Sequence, residues 1–179
     1  MKIKAYPKNK EHFIRLKKFG NEIKEICKES GTEPVAYGGL VYFGYTQDKN
    51  AVVHDIDFLV PEKYLEKIAE RLKDKKIRYL WNHKRHDFKI YKKGAKVELD
   101  SIEEYPGKGK TKKSIKNFRV LRMQSHSDIK DTFDFNGLKV KAVSLDSLTN
   151  TYKNACIESH GKHEQHVRRY EALLKLKKA

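Results

Sequence analysis

From Asn9 to Glu29 the apolar residues Phe13, Leu16, Phe19, Ile23, Ile26 and Cys27 recur at steps of three and four, with lysine and glutamate between them. That spacing predicts an amphipathic helix, and Ser30-Gly31 supplies its stop. The pattern then changes: Pro34-Val35-Ala36-Tyr37 reads as a short strand ending at Gly38-Gly39, followed by the helical run Leu40-Val41-Tyr42-Phe43. Val53 to Val60 reads as a second strand closed by Pro61. Pro61 and Glu62 open a helix through about Lys75, with Leu65, Ile68, Ala69 and Leu72 on one face and lysines opposite. Ile77 to Trp81, His86 to Tyr91 and Ala95 to Ile102 read as three more strands, the last two joined by a turn at Lys93-Gly94. Thr132 to Phe135 and Leu138 to Ala142 form a hairpin, because Asn136-Gly137 favours the tight turn that matches strand twist. Two helices follow. Ser144 caps the first, which buries Leu145, Leu148, Tyr152 and Cys156; the second, from about Lys162 to Lys177, carries Val167, Tyr170, Leu173, Leu174 and Leu176.

Two positions break this pattern. Asp55 and Asp57 lie in the run Val53-His54-Asp55-Ile56-Asp57-Phe58-Leu59-Val60, where a buried strand would place apolar groups. Side chains alternate along a strand, so the two acids share a face about 6.6 Å apart. An unpaired buried carboxylate is costly, and like charges on one face raise each other's pKa. A cation between them removes both penalties, which suggests metal-ion chemistry. By spacing alone, a pair of solvated acids on a half-exposed strand fits equally well. The oddity recurs downstream: Glu98 and Asp100 share one face of their strand while Val97 and Leu99 take the other. Gly38-Gly39, between a strand and a helix, lets backbone N–H groups approach an anion, although a glycine pair alone more often marks a plain turn.

Composition narrows the partners. The chain has 179 residues, enough for one domain with a real core, and 38% are hydrophobic, which argues against wholesale disorder. Forty Lys plus Arg against 24 Asp plus Glu leave a net charge of +16, which favours an anionic partner such as nucleic acid or nucleotide. A lysine- and glutamate-rich thermophile surface would bring acids in step with the lysines, and here they fall short. Between Gly107 and Arg122 seven basic residues stand without an acid. Gly109-Lys110-Thr111 in that stretch is not a P-loop, since Glu104 stands where the motif needs a glycine. A basic loop, either solvated or gripping phosphates, is the reading it supports. Cys27 and Cys156 are the two cysteines and read as reduced core residues; with no apolar run long enough for a membrane span and no signal-peptide core, a cytoplasmic protein without membrane contact is expected. No internal repeat or linker divides residues 1–179.

The order helix, strand, Gly38-Gly39, short helix, strand with Asp55-Ile56-Asp57, helix, and a later strand bearing Glu98 and Asp100 resembles the nucleotidyltransferase superfamily typified by DNA polymerase β. More narrowly, it resembles the small stand-alone members, antibiotic nucleotidyltransferases and nucleotidyltransferase-like toxins among them. The motifs span about Phe13 to Ile102, and Val143-Ser144-Leu145-Asp146-Ser147-Leu148 with Tyr152-Lys153 resembles the helix after the catalytic core. The chain departs from the family in having His54 where a serine often precedes the first aspartate, and Gly-Gly rather than Gly-Ser.

The resemblance implies an α/β (α+β) fold: a mixed sheet flanked by helices, with a core of about residues 9–142 and a C-terminal helical part of about 143–179. It also implies transfer of a nucleoside monophosphate from a nucleoside triphosphate (NTP) to an acceptor hydroxyl, with Mg²⁺ or Mn²⁺ held by Asp55, Asp57 and a third acid. Glu98 suits the family's apolar-acid-apolar pattern; Asp100 matches the other two acids in type. Gly38 and Gly39 would meet the triphosphate. Lys84 and Arg85 are either further phosphate contacts or part of a solvated turn. The acceptor would be anionic, RNA or tRNA being the leading class; a toxin acting on tRNA or protein, and a nucleic-acid-binding module without activity, are the alternatives. His160, His163 and His166 lack the cysteine or acid support usual for zinc. Trp81 and Tyr79 suit core packing better than base stacking.

Overall fold

The stripe Phe13, Leu16, Phe19, Ile23, Ile26 and Cys27 is buried along helix α1 (Lys10–Glu29). Each such side chain withdrawn from water stabilises the fold by roughly 1.5–3 kcal/mol. The chain continues through β1 (Val35–Tyr37), α2 (Gly38–Thr46), β2 (Ile56–Pro61), α3 (Leu65–Asp74), β3 (Arg78–Asn82), β4 (Asp87–Lys92) and β5 (Ala95–Ile102). After these come β6 (Asp131–Asp134), β7 (Lys139–Ala142), α4 (Leu145–Glu158) and α5 (Glu164–Lys178). These elements come from a computed structural model that describes residues 1–82, 87–102 and 131–178.

The strands hydrogen-bond into a mixed sheet of order β3-β4-β5-β2-β1-β7-β6. β2 runs parallel to β5 and β1 parallel to β7, while β1–β2, β3–β4, β4–β5 and β6–β7 are antiparallel. Ile56, Phe58, Phe88, Ile90, Val97 and Leu99 are fully buried, giving the sheet an apolar face. Helix α1 packs on β5 and α3 on α1. The approach of α1 is close: a Cβ on Gly20 would lie 2.6 Å from Ile56 Cδ1. Helices α4 and α5 pack on each other and on α2.

Several boundaries differ from the sequence reading. Val53 lies before β2 because the Asn9 side chain takes both its backbone groups, donating to its carbonyl at 2.7 Å and accepting from its N–H at 3.2 Å. The helix read from Pro61 starts as a 3-10 turn, Glu62–Tyr64, and becomes α-helical at Leu65. The Asn136-Gly137 turn forms with both residues at positive φ, 54° and 102°, and α1 grips it through Lys17 Nζ on the Asn136 carbonyl (3.0 Å) and Asn21 on the Gly137 carbonyl (2.9 Å). Ser144 caps α4 by accepting from the Ser147 N–H at 3.1 Å. Of the apolar residues read in the last helix, only Leu173 is fully buried. Trp81 stacks on Phe88 with ring centroids 4.9 Å apart and Tyr79 leans on the same ring at 5.5 Å, so both pad the edge of the core. No helix among the described residues is long and apolar enough to cross a membrane.

Candidate active site

Backbone pairing brings the predicted residues together. β1 and β2 pair with Tyr37 opposite Asp57, so the turn into α2 at Gly38 falls against that aspartate. Gly38 has φ +66°, and a Cβ there would sit 2.2 Å from Asp57 Oδ2. Any other residue would meet both the left-handed backbone and the carboxylate. Gly39 donates its N–H to Asp57. The second glycine, expected to face phosphate, thus orients the aspartate.

The parallel pairing of β2 with β5 sets Asp57 beside Glu98, and Asp55, two residues earlier and just ahead of β2, meets Lys96, two residues before Glu98. Lys96 Nζ lies 2.5 Å from Asp55 Oδ2 and 2.6 Å from Glu98 Oε1. On β4, Lys89 is paired opposite Glu98, with its Nζ 4.0 Å from Oε1. Two carboxylates therefore share one ammonium, and Asp57 is near enough to feel the charge of all three groups.

Their electrostatics are strongly perturbed. Asp57 keeps slight solvent access, but the protein around it removes most of its hydration and drives its carboxyl up to about 8. The charges of Asp55 and Glu98 push the same way, against the opposing pull of Lys96 and the Gly39 N–H. For Lys96, burial works against the charged form, yet the hydrogen bonds and charges of Asp55 and Glu98 outweigh it and hold the amine above its ordinary value.

Asp100 stands apart. It pairs in register with Leu59 on one side and Asp87 on the other, one step further from Gly38 than Glu98 is. Burial alone raises its carboxyl to about 6. Lys84 and Arg85 lie outside the described residues, as do His86 and the basic stretch Gly107–Arg122. The rings of His163 and His166 are 5.4 Å apart.

Two further residues belong to this place. Arg169, on α5, puts its guanidinium within 3.5 Å of the position a Cβ would take on Gly39. It donates to the Tyr152 hydroxyl at 2.8 Å and to the Val52 carbonyl at 3.4 Å, and its centre lies 5.2 Å from the Tyr42 ring and 5.5 Å from the Tyr152 ring. The Tyr152 hydroxyl is raised to about 12 by burial, eased by Arg169, and is near enough to Asp57 to feel its charge. Lys96 could have been found from its i,i+2 relation to Glu98 on one strand. Arg169 had no such signal, since only tertiary packing joins it to Gly39.

Among the described residues no three His, Cys, Asp or Glu side chains are gathered as a ready-made metal centre. The donor set still fits a hard divalent cation: the acids offer carboxylate oxygen, their repulsion is unresolved at Asp57, and an ammonium already spans two of them.

No family model matches the chain, and no curated protein matches its sequence. Solved structures do match. The antibiotic-resistance factor ANT(2'')-Ia, seen in complex with adenylyl-2''-tobramycin, superposes with a TM-score of 0.64 at 10% identity, over 89% of this chain and 87% of that one. The lincosamide antibiotic adenylyltransferase LnuA, lincomycin-bound, gives 0.55 at 12% identity over 89% and 96%. An antigenic nucleotidyltransferase-like protein from Paracoccidioides brasiliensis gives 0.59 at 15% identity over 96% and 79%.

Proposed function

We propose that this chain, which has the fold of the small stand-alone nucleotidyltransferases, is a metal-dependent nucleotidyltransferase. It would move a nucleoside monophosphate from an NTP to an acceptor hydroxyl, with release of pyrophosphate. The observation that carries this reading is the convergence of Asp55, Asp57 and Glu98 beside the glycine turn at Gly38. Those three acids would hold Mg²⁺ or Mn²⁺. When bound, such ions cancel charge on the attacking and leaving oxygens of the transfer.

The chain's own groups supply the rest. Gly38 lets the backbone pass against Asp57, and the Gly39 N–H fixes that carboxylate. The first turn of α2 has N–H groups without intrahelical acceptors, and its dipole favours an anion there. Arg169 stands over the same turn, oriented by Tyr152 and Tyr42, and presents a planar cation suited to phosphate oxygens. Glu98, in register with Asp57, is the third acid of this reading, and Asp100 is left to the sheet beyond it.

The acceptor follows from charge. Two of the solved neighbours hold antibiotics, adenylylated tobramycin in one and lincomycin in the other. Aminoglycosides are polycations, and a chain of net charge +16 repels them. An anionic acceptor, RNA and tRNA in particular, is the class this surface favours. The competing reading is a nucleic-acid-binding module whose acids serve only as ion pairs; the contacts of Lys96 favour it. Incubation with labelled NTPs, Mg²⁺ and total RNA separates the two. Label on RNA that is lost in Asp57→Asn supports transfer, while RNA binding without label supports the module. Label on the protein itself would redirect the acceptor to protein.

A further inference from the structure

The ammonium of Lys96 sits where the transfer chemistry asks for none. It contacts Asp55 Oδ2 at 2.5 Å and Glu98 Oε1 at 2.6 Å, and so joins two of the three acids proposed to hold a divalent ion. Backbone register brings it there: Lys96 and Glu98 share a face of β5, and β2 pairs beside them from Ile56↔Val97 onward. Its side chain is 32% exposed, against 25% for Asp55 and 20% for Glu98, so it is held within the cluster yet keeps an open side toward solvent. Lys89 differs. It is 44% exposed and approaches Glu98 only to 4.0 Å.

The ammonium and a divalent ion compete for the same oxygens. Mg²⁺ takes carboxylate oxygen at about 2.0–2.1 Å in a near-octahedral shell. An ammonium in direct contact with Asp55 Oδ2 and Glu98 Oε1 occupies the approach to both, and it repels the incoming ion. The Lys96 stem can carry the charge outward, because four rotatable carbons separate the ammonium from the strand.

Building on the metal-dependent reading above, we propose that Lys96 is a resident counter-ion which a divalent cation must displace. The protein without nucleotide therefore holds Mg²⁺ or Mn²⁺ more weakly than the same acids would without the ammonium.

The test is a Mn²⁺ titration of nucleotide-free protein, followed by the electron paramagnetic resonance signal of free Mn²⁺. It compares the full wild-type chain with Lys96→Met, Lys89→Met and Asp57→Asn. Lys96→Met is expected to bind Mn²⁺ at least about 10-fold more tightly than wild type, and Lys89→Met to change by less than about 3-fold, because its charge is more distant and better screened. Equal or weaker binding by Lys96→Met overturns the role of Lys96 and leaves the metal reading standing. If Mn²⁺ binds neither protein, or binds Asp57→Asn as well as wild type, both fall. A second measurement needs no variant: a brief pulse of an amine-acylating reagent on wild type, read by mass spectrometry. Saturating Mn²⁺ is expected to raise Lys96 labelling several-fold relative to Lys89, and unchanged labelling overturns the proposal.

Discussion

Gly38 is the residue on which the site's geometry turns. Gly38→Ala has to adopt φ +66° and place a methyl 2.2 Å from Asp57 Oδ2, so it is expected to destabilise the chain by about 2–5 kcal/mol in urea unfolding. Gly94→Ala, at φ +76° with nothing within 4 Å, carries only the backbone strain of about 1–2 kcal/mol. The difference between the two variants measures the contact with Asp57. Glu98 and Asp100 separate by chemistry: Glu98→Gln is expected to lower nucleotidyl transfer by about 100-fold or more, while Asp100→Asn leaves it nearly intact. Asp100 has a signature of its own in stability. Its folded carboxyl is raised from 3.8 to about 6, so between those values the folded state keeps a proton that the unfolded state has lost. Its contribution to stability therefore falls as pH rises from about 4 to about 6 and then levels off. Relative to wild type, Asp100→Asn should gain up to about 3 kcal/mol above pH 6, with the gain shrinking toward pH 4. Urea melts across that range check the slope, and a gain independent of pH would contradict it.

At the scale of elements, α5 acts through one side chain. Arg169 ties it to α4 through the Tyr152 hydroxyl and to α2 through the Tyr42 ring. Arg169→Met keeps the apolar stem but loses the cation. Triphosphate affinity is expected to fall about 10-fold, with Arg169→Lys intermediate because an ammonium cannot reproduce the planar fork. The thermal shift produced by triphosphate with Mg²⁺ reads this directly. Ser144 tests the C-terminal helices separately: Ser144→Ala should cost about 1 kcal/mol of stability by removing the α4 cap, with transfer activity per folded molecule unchanged. Most elements were legible from residue pattern, α1 and β5 to within a residue, because their apolar positions repeat with the period of the element. The start of β2 was not, because Asn9, far away in the chain, takes over the backbone of Val53.

For the whole molecule, the proposed RNA acceptor rests on net charge. With +16 net, RNA binding is expected to weaken steeply as salt rises, each phosphate neutralised adding roughly 0.7–0.9 to the slope of log affinity against log salt. Filter binding between low and physiological salt checks this, and a flat response would remove RNA from the acceptor class. Asp57→Asn should leave that slope nearly unchanged while abolishing triphosphate-dependent stabilisation, because on the proposed reading RNA affinity rests on the excess of Lys and Arg and triphosphate binding on the acids.

The order of elements, the glycine pair, the acids and the charge excess were legible without the fold, since these depend on local period and composition. The sequence left Glu98 and Asp100 unresolved and missed Lys96 and Arg169. Where those residues stand depends on how distant segments of the chain meet. Strand register, a property of pairing between distant segments, places Glu98 beside Asp57, Lys96 reaches Asp55 just before β2, and the packing of the last helix on α2 carries Arg169 to Gly39.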